Sequence, residues 1–200
     1  MMRGIRITYP MAMAIPKLQT TQDLLDSPDE NVELINGEIQ KRPMARADHA
    51  MVQSSLSDEF VSLKRKSDSG GWWIMTEVSV RYNEHNCPSH DLAGWRKENY
   101  PTRPSGMMTV KPDWVCEITS PGHERKDLLA NLLLLQGQTV PYYWVISPED
   151  KTLIAYELAD GHYRLVYSLN FSQETVTGKQ FIAPFLDCGI DLAYIFGNTE

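Results

Sequence analysis

Cysteine is scarce in this chain of 200 residues, which has three, Cys87, Cys116 and Cys188, set far apart. So few exclude a disulfide framework, and with no Cys-x-x-Cys pair and no Cys/His cluster at zinc spacing, a zinc module is not expected. Reduced thiols and a cytoplasmic location are the corresponding expectations. No apolar run approaches the length that spans a bilayer, so no membrane partner is expected. The first residues carry Arg3 and Arg6, but Pro10 interrupts their apolar stretch and no small-residue cleavage site ends it, which argues against a signal peptide. Excess positive charge is lacking too. The formal net charge is -7, which argues against coating nucleic acid through a global field, because counterion release needs clustered Lys and Arg. Basic residues cluster only locally, at Lys41-Arg42, Lys64-Arg65-Lys66, Arg96-Lys97 and Arg125-Lys126, and such groups are ordinarily solvated surface. There is no internal repeat and no low-complexity segment.

What is present is an apolar content of 42%, enough for a chain of this length to bury one core. A single domain over 20-200 is expected, preceded by a leader over 1-19. Thr20-Thr21-Gln22-Asp23-Leu24-Leu25 predicts a short capped helix ending by Pro28. Val32-Glu33-Leu34-Ile35 and Glu38-Ile39-Gln40 flank Asn36-Gly37, the pair best able to take positive φ at both centres of a hairpin turn. From Arg46 to Lys66, Val52, Leu56, Phe60 and Leu63 recur at helical spacing, with His49 on the same stripe one turn earlier.

Trp72 to Met75 and Val78 to Tyr82 read as strand, Asn83 to Ser89 as loop, and Asp91 to Arg96 as a short strand. A long irregular segment with prolines at 101, 104 and 112 follows, expected to border a site. Trp114-Val115-Cys116-Glu117-Ile118 is a buried strand by its length and flanking prolines. Lys126 to Gly137 is leucine-rich enough for a buried helix, and Tyr142 to Ile146 is a further strand, so a crossover between parallel strands is implied. Leu153 to Leu158 and Tyr163 to Tyr167 around Asp160-Gly161 form a second hairpin. Trp72, Trp73, Trp95 and Trp114 are expected in the core rather than as base-stacking platforms.

Glu117 is the anomaly, since a carboxylate inside an apolar strand is costly without a compensating cation or hydrogen bonds. Asp113 shares its strand face but lies about 13 Å away, too far to ligate one ion with it. Asp91 opens the preceding strand in an equally apolar context, and antiparallel pairing would bring its carboxylate near that of Glu117. Two carboxylates plus waters suit Mg²⁺ or Mn²⁺. A buried Arg or His beside Glu117, with Asp91 capping a turn, would compensate the charge equally well.

In order, the hairpin VELINGEIQ, the helix starting near His49, the strand DLAGWR, the block PDWVCEITSP, Asp127-Leu128 and the element VPYYWVISPE resemble the Uma2 group of endonucleases (DUF820). That group is similar to the restriction-endonuclease-like, PD-(D/E)xK superfamily, and the resemblance runs from about Thr21 to Phe196. It implies an α/β (α+β) fold, with a mixed central sheet flanked by helices and hairpins near both ends. It also implies a phosphodiesterase site using Mg²⁺ or Mn²⁺, with nucleic acid, DNA above all, as partner. A homodimer is the expected assembly.

Asp91 matches the first acidic ligand and Glu117 the acid of the E-x-K element. Thr119 stands where the superfamily commonly has its lysine, and Asn131 stands where Uma2-like members supply one from the following helix. Leu135 replaces a family tyrosine. With Leu128 three before and Leu135 four after, position 131 should face inward. Lys126 precedes it by five residues and is turned about 140° away on an α-helix. Lys97 and Lys111 are each about 20 Å along their strands from the acids, so neither substitutes. His49 and Glu33 complete the expected site, the resemblance placing a histidine and a glutamate at these points. For both, ordinary roles, a half-buried histidine bonded to backbone and a solvent-facing strand glutamate, are open; the same solvent-facing reading applies to Glu38. An inactive binding module on this scaffold and an acidic dimer without nucleic-acid contact are the competing expectations.

Overall fold

The structure, a computed structural model, describes residues 17-42, 44, 46-120, 126-174 and 176-197, with the side chains of 126-128 excepted. Residues 1-16 of the leader, Arg125, and the side chains of Lys126, Asp127 and Leu128 therefore lie outside the described residues.

Helix α1 (Thr21–Leu25) starts where expected. The Thr20 hydroxyl accepts the Asp23 N–H, and the Asp23 carboxylate accepts the Thr20 N–H at 2.7 Å, a reciprocal capping box. Strands β1 (Val32–Ile35) and β2 (Glu38–Lys41) pair antiparallel as a separate hairpin. Its turn residues Asn36 and Gly37 sit at φ 51° and 76°, the pairing a tight hairpin demands.

The expected single helix over Arg46 to Lys66 is two helices, α2 (Ala47–Glu59) and α3 (Val61–Arg65). The break falls at Phe60, whose φ and ψ of -92° and 5° leave the helical range. There the fully buried ring packs edge-on to Trp114 at 5.3 Å and against Phe185 at 4.4 Å, so core packing outweighs helix continuity.

Six strands form the main sheet in chain order: β3 (Trp72–Ser79), β4 (Ser89–Arg96), β5 (Trp114–Ile118), β6 (Tyr142–Ser147), β7 (Thr152–Ala159) and β8 (His162–Asn170). All neighbours are antiparallel except β5 and β6, which are parallel as the crossover predicts. The second hairpin, turning at Asp160 and Gly161 with φ 53° and 79°, extends this sheet.

One sheet face meets Val52, Leu56, Phe60 and Leu63 together with α5 (Leu192–Phe196) over Trp72, Leu92, Trp114 and Trp144. The other packs Ala93, Trp95, Val115 and Val145 against Leu135 and Met108. Trp72, Trp95 and Trp114 are core residues as expected, whereas Trp73 is only half-buried. The crossover segment departs from the expectation of one buried helix. It begins as a π-helical stretch, Lys126–Asn131, and continues as α4 (Leu132–Gly137). Among its described side chains, Asn131 and Leu135 are buried while Leu129 and Leu133 are more than half exposed. A π-turn closes i to i+5, so the angle of about 140° expected between positions 126 and 131 for an α-helix does not apply to this backbone.

The fold is thus a mixed α/β arrangement, a central sheet flanked by helices with a hairpin near each end. Among the described residues no helix is long and apolar enough to cross a membrane.

Candidate active site

The site forms where β4 and β5 part company. Their ladder joins Leu92 to Cys116, Ala93 to Val115 and Gly94 to Trp114. Beyond Leu92 the Asp91 side chain takes over from the backbone, its Oδ2 accepting the Ile118 N–H at 2.7 Å. The Asp91 carboxylate is thereby pinned against the peptide that links Glu117 to Ile118. The register sets positions 91 and 117 next to each other, while their carboxylates take different partners.

The other Asp91 oxygen, Oδ1, lies 3.4 Å from His49 Nε2 and 3.4 Å from Arg42 Nη2. Helix α2 delivers His49 from its first turn, and the ring's other nitrogen is 3.3 Å from the Ser120 hydroxyl just past β5. Arg42, next after β2, uses its second terminal nitrogen to pair with Glu77. Gln53, one turn along α2 from His49, donates to Glu77 Oε1 at 2.7 Å and to the Asp91 carbonyl at 2.9 Å. Glu77 itself sits in β3 at φ 51°, a left-handed conformation that costs a residue with a Cβ roughly 1–2 kcal/mol and marks a site where side-chain direction matters. Ligand atoms of His49, Glu77 and Asp91 all lie within 4.8 Å of one another.

Glu117 is turned to a second group. Its Oε1 is 2.6 Å from His90 Nδ1, and His90 Nε2 is 2.9 Å from the Tyr82 hydroxyl. With Glu117 a carboxylate, Nδ1 carries a proton and donates to it. The buried histidine that could compensate Glu117 without an ion thus exists, and burial together with the Glu117 charge holds the Tyr82 phenol well above its ordinary value.

Of the remaining expected residues, Glu33 is buried on β1 rather than solvent-facing, and its Oε2 accepts the Ser89 N–H at 3.3 Å, joining the small hairpin to the start of β4. Glu38 faces solvent. Asn131 is 3% exposed, inward as its spacing indicates, and its Oδ1 has no hydrogen-bond partner among the described residues. Lys97 is committed to the carbonyls of Lys64 and Lys66, and Lys111 to Thr139, so neither serves the acids.

Glu77, Arg42, Gln53, His90, Tyr82 and Ser120 were not singled out from sequence as site residues. Arg42 stood in a basic pair and His90 adjoins Asp91, but neither signal separates a site residue from its neighbours. Burial pulls the Arg42 guanidinium down, yet its bond to Glu77 and the charges of Glu77, Asp91 and Glu33 leave it above its ordinary value. His49 behaves likewise: burial lowers it, the Asp91 bond and the charges of Asp91, Glu77 and Glu117 outweigh that, and the ring is held above its ordinary value.

Two carboxylates and one imidazole at mutual ligand spacing fit a small divalent cation, and the nitrogen donor suits Mn²⁺ better than Mg²⁺.

A family model, Uma2, described as "Putative restriction endonuclease", matches residues 18–184. No curated protein matches the chain. Among solved structures, the chain is similar to a "putative nuclease belonging to DUF820" from Anabaena variabilis ATCC 29413, with a TM-score of 0.71 and 19% identity over 89% of this chain and 97% of that one. At that identity the likeness speaks for the fold.

Proposed function

The chain belongs to the Uma2 family, whose model spans residues 18–184, and from that premise we propose that it is a divalent-metal-dependent endonuclease acting on DNA. The observation that carries this reading is the fastening of Asp91 beside the Glu117 peptide with His49 and Glu77 gathered around it. Asp91, Glu77 and His49 would hold the ion, and Glu117, beside Asp91 on the neighbouring strand, is bonded to His90. When bound, it would polarise a phosphoryl oxygen and ease deprotonation of water, the two demands of phosphodiester hydrolysis.

The chain's own residues set the stage. Ile118 N–H fixes one Asp91 oxygen so that the other faces the site, Gln53 ties Glu77 to the β4 backbone, and Ser120 orients the His49 ring. His90 keeps Glu117 in place through a short bond braced by Tyr82. Asn131 supplies an amide where the family resemblance calls for a lysine, and losing one preorganised stabiliser costs about 10²- to 10³-fold in rate. A slow enzyme follows.

The test is cleavage of plasmid and single-stranded DNA in Mn²⁺ or Mg²⁺. We expect weak nicking, abolished in Asp91→Ala and Glu117→Ala and increased in Asn131→Lys. Cleavage that persists unchanged in both alanine variants would remove these residues from the site. A second reading, a nuclease-fold module that binds nucleic acid or protein as a dimer without cutting, is favoured by one observation: Arg42, His49 and His90 already serve as protein partners for both acids. No cleavage by the wild type or by Asn131→Lys, together with salt-dependent DNA binding, would select it.

A further inference from the structure

The positive charge that the acids require is already supplied from within the chain. Arg42 reaches Glu77 with one terminal nitrogen and Asp91 with the other, so its guanidinium bridges the same two carboxylates that stand at ligand spacing with His49. A guanidinium and a divalent cation cannot share that position, because like charges a few ångströms apart in a partly buried setting repel strongly. We propose that Arg42 is the resident counter-cation of this site, balancing the charges of Glu77 and Asp91 and giving way when a divalent ion enters. The inference rests on the metal-site reading above.

Three features equip Arg42 for this role. It lies just beyond β2 of the small hairpin, not within the main sheet, and its backbone is held there by a 2.8 Å bond from its N–H to the Asn31 carbonyl. Its side chain can therefore leave without disturbing the strands that carry the acids. Asp91 does not depend on Arg42 for orientation, since Oδ2 is held separately by Ile118 N–H. Glu77 likewise keeps Gln53. The Glu77 side chain is 45% exposed against 8% for Asp91, so the cluster opens to solvent on the Glu77 side, where an ion would arrive and the guanidinium would swing out.

Direct Mn²⁺ binding to the full chain, by calorimetry and by loss of the free-ion paramagnetic resonance signal, tests the proposal without any activity assay. Removing a competing charge at this range should tighten Mn²⁺ binding roughly tenfold or more in Arg42→Gln, with Arg42→Lys, which keeps the charge but loses the two-armed reach, in between. If Arg42→Gln does not fold by circular dichroism, Arg42→Lys alone decides, and affinity no tighter than wild type overturns the proposal. Binding to wild type that is abolished in Asp91→Ala yet not tightened in Arg42→Gln overturns the role of Arg42 and leaves the metal site standing. No binding to wild type, Arg42→Gln or Arg42→Lys overturns both.

Discussion

At His49, burial and charge pull in opposite directions, and the charges win. The sign of the consequence follows directly. A histidine whose folded value lies above its unfolded one contributes stability that is fully present below about 6.5, the free value, and is lost as pH rises through the raised value. Nitrogen-detected magnetic resonance of the metal-free protein should therefore show His49 titrating above a free histidine, and Asp91→Asn should lower it. A value at or below that of free histidine would mean that Asp91 and Glu77 do not dominate the ring's environment. The same residue shows how far sequence reading reaches. A carboxylate in an apolar strand is visibly anomalous, so Asp91 and Glu117 were legible. Their partners Arg42 and His90 were not, because an arginine in a basic pair and a histidine beside an aspartate look like any others until the strands are in register.

Among the elements, hairpins and strands were the most legible, because turn chemistry and alternation act over a few residues. The Asn36-Gly37 turn is the clearest case, and it matters to the site because the hairpin carries Glu33 on one strand and leads to Arg42 from the other. Gly37 sits at φ 76°, and a Cβ there would come within 2.8 Å of Leu18 Cβ. Gly37→Ala should therefore destabilise by roughly 1–2 kcal/mol, seen as a melting point lower by about 2–8 °C for a chain of this size. An unchanged melting point would show the turn to be less demanding than its geometry indicates. Helices were read less well. Leucine content and spacing in the crossover suggested one buried helix, yet a π-turn opens it and two leucines face outward. The break between α2 and α3 was likewise invisible, since Phe60 fits the helical stripe and only the aromatic cluster beneath it draws it out of the helix.

At the scale of the whole molecule, Phe60 joins the helices, the sheet through Trp114 and Trp144, and the C-terminal segment through Phe185. Phe60→Ala should cost about 3–5 kcal/mol and lower the melting point by on the order of 10 °C, in one cooperative transition. Two separate transitions would contradict a shared core. The sequence by itself determined the strand and turn segments, the two anomalous acids and the ordered motifs that place the chain in its family, all of which rest on local chemistry. Only the tertiary structure decided which group neutralises each acid, and that Glu77 joins Asp91 while Glu117 turns to His90. Those contacts link residues separated by tens of positions, and they depend on strand register and on a single left-handed residue in β3, neither of which leaves a periodic trace in the chain.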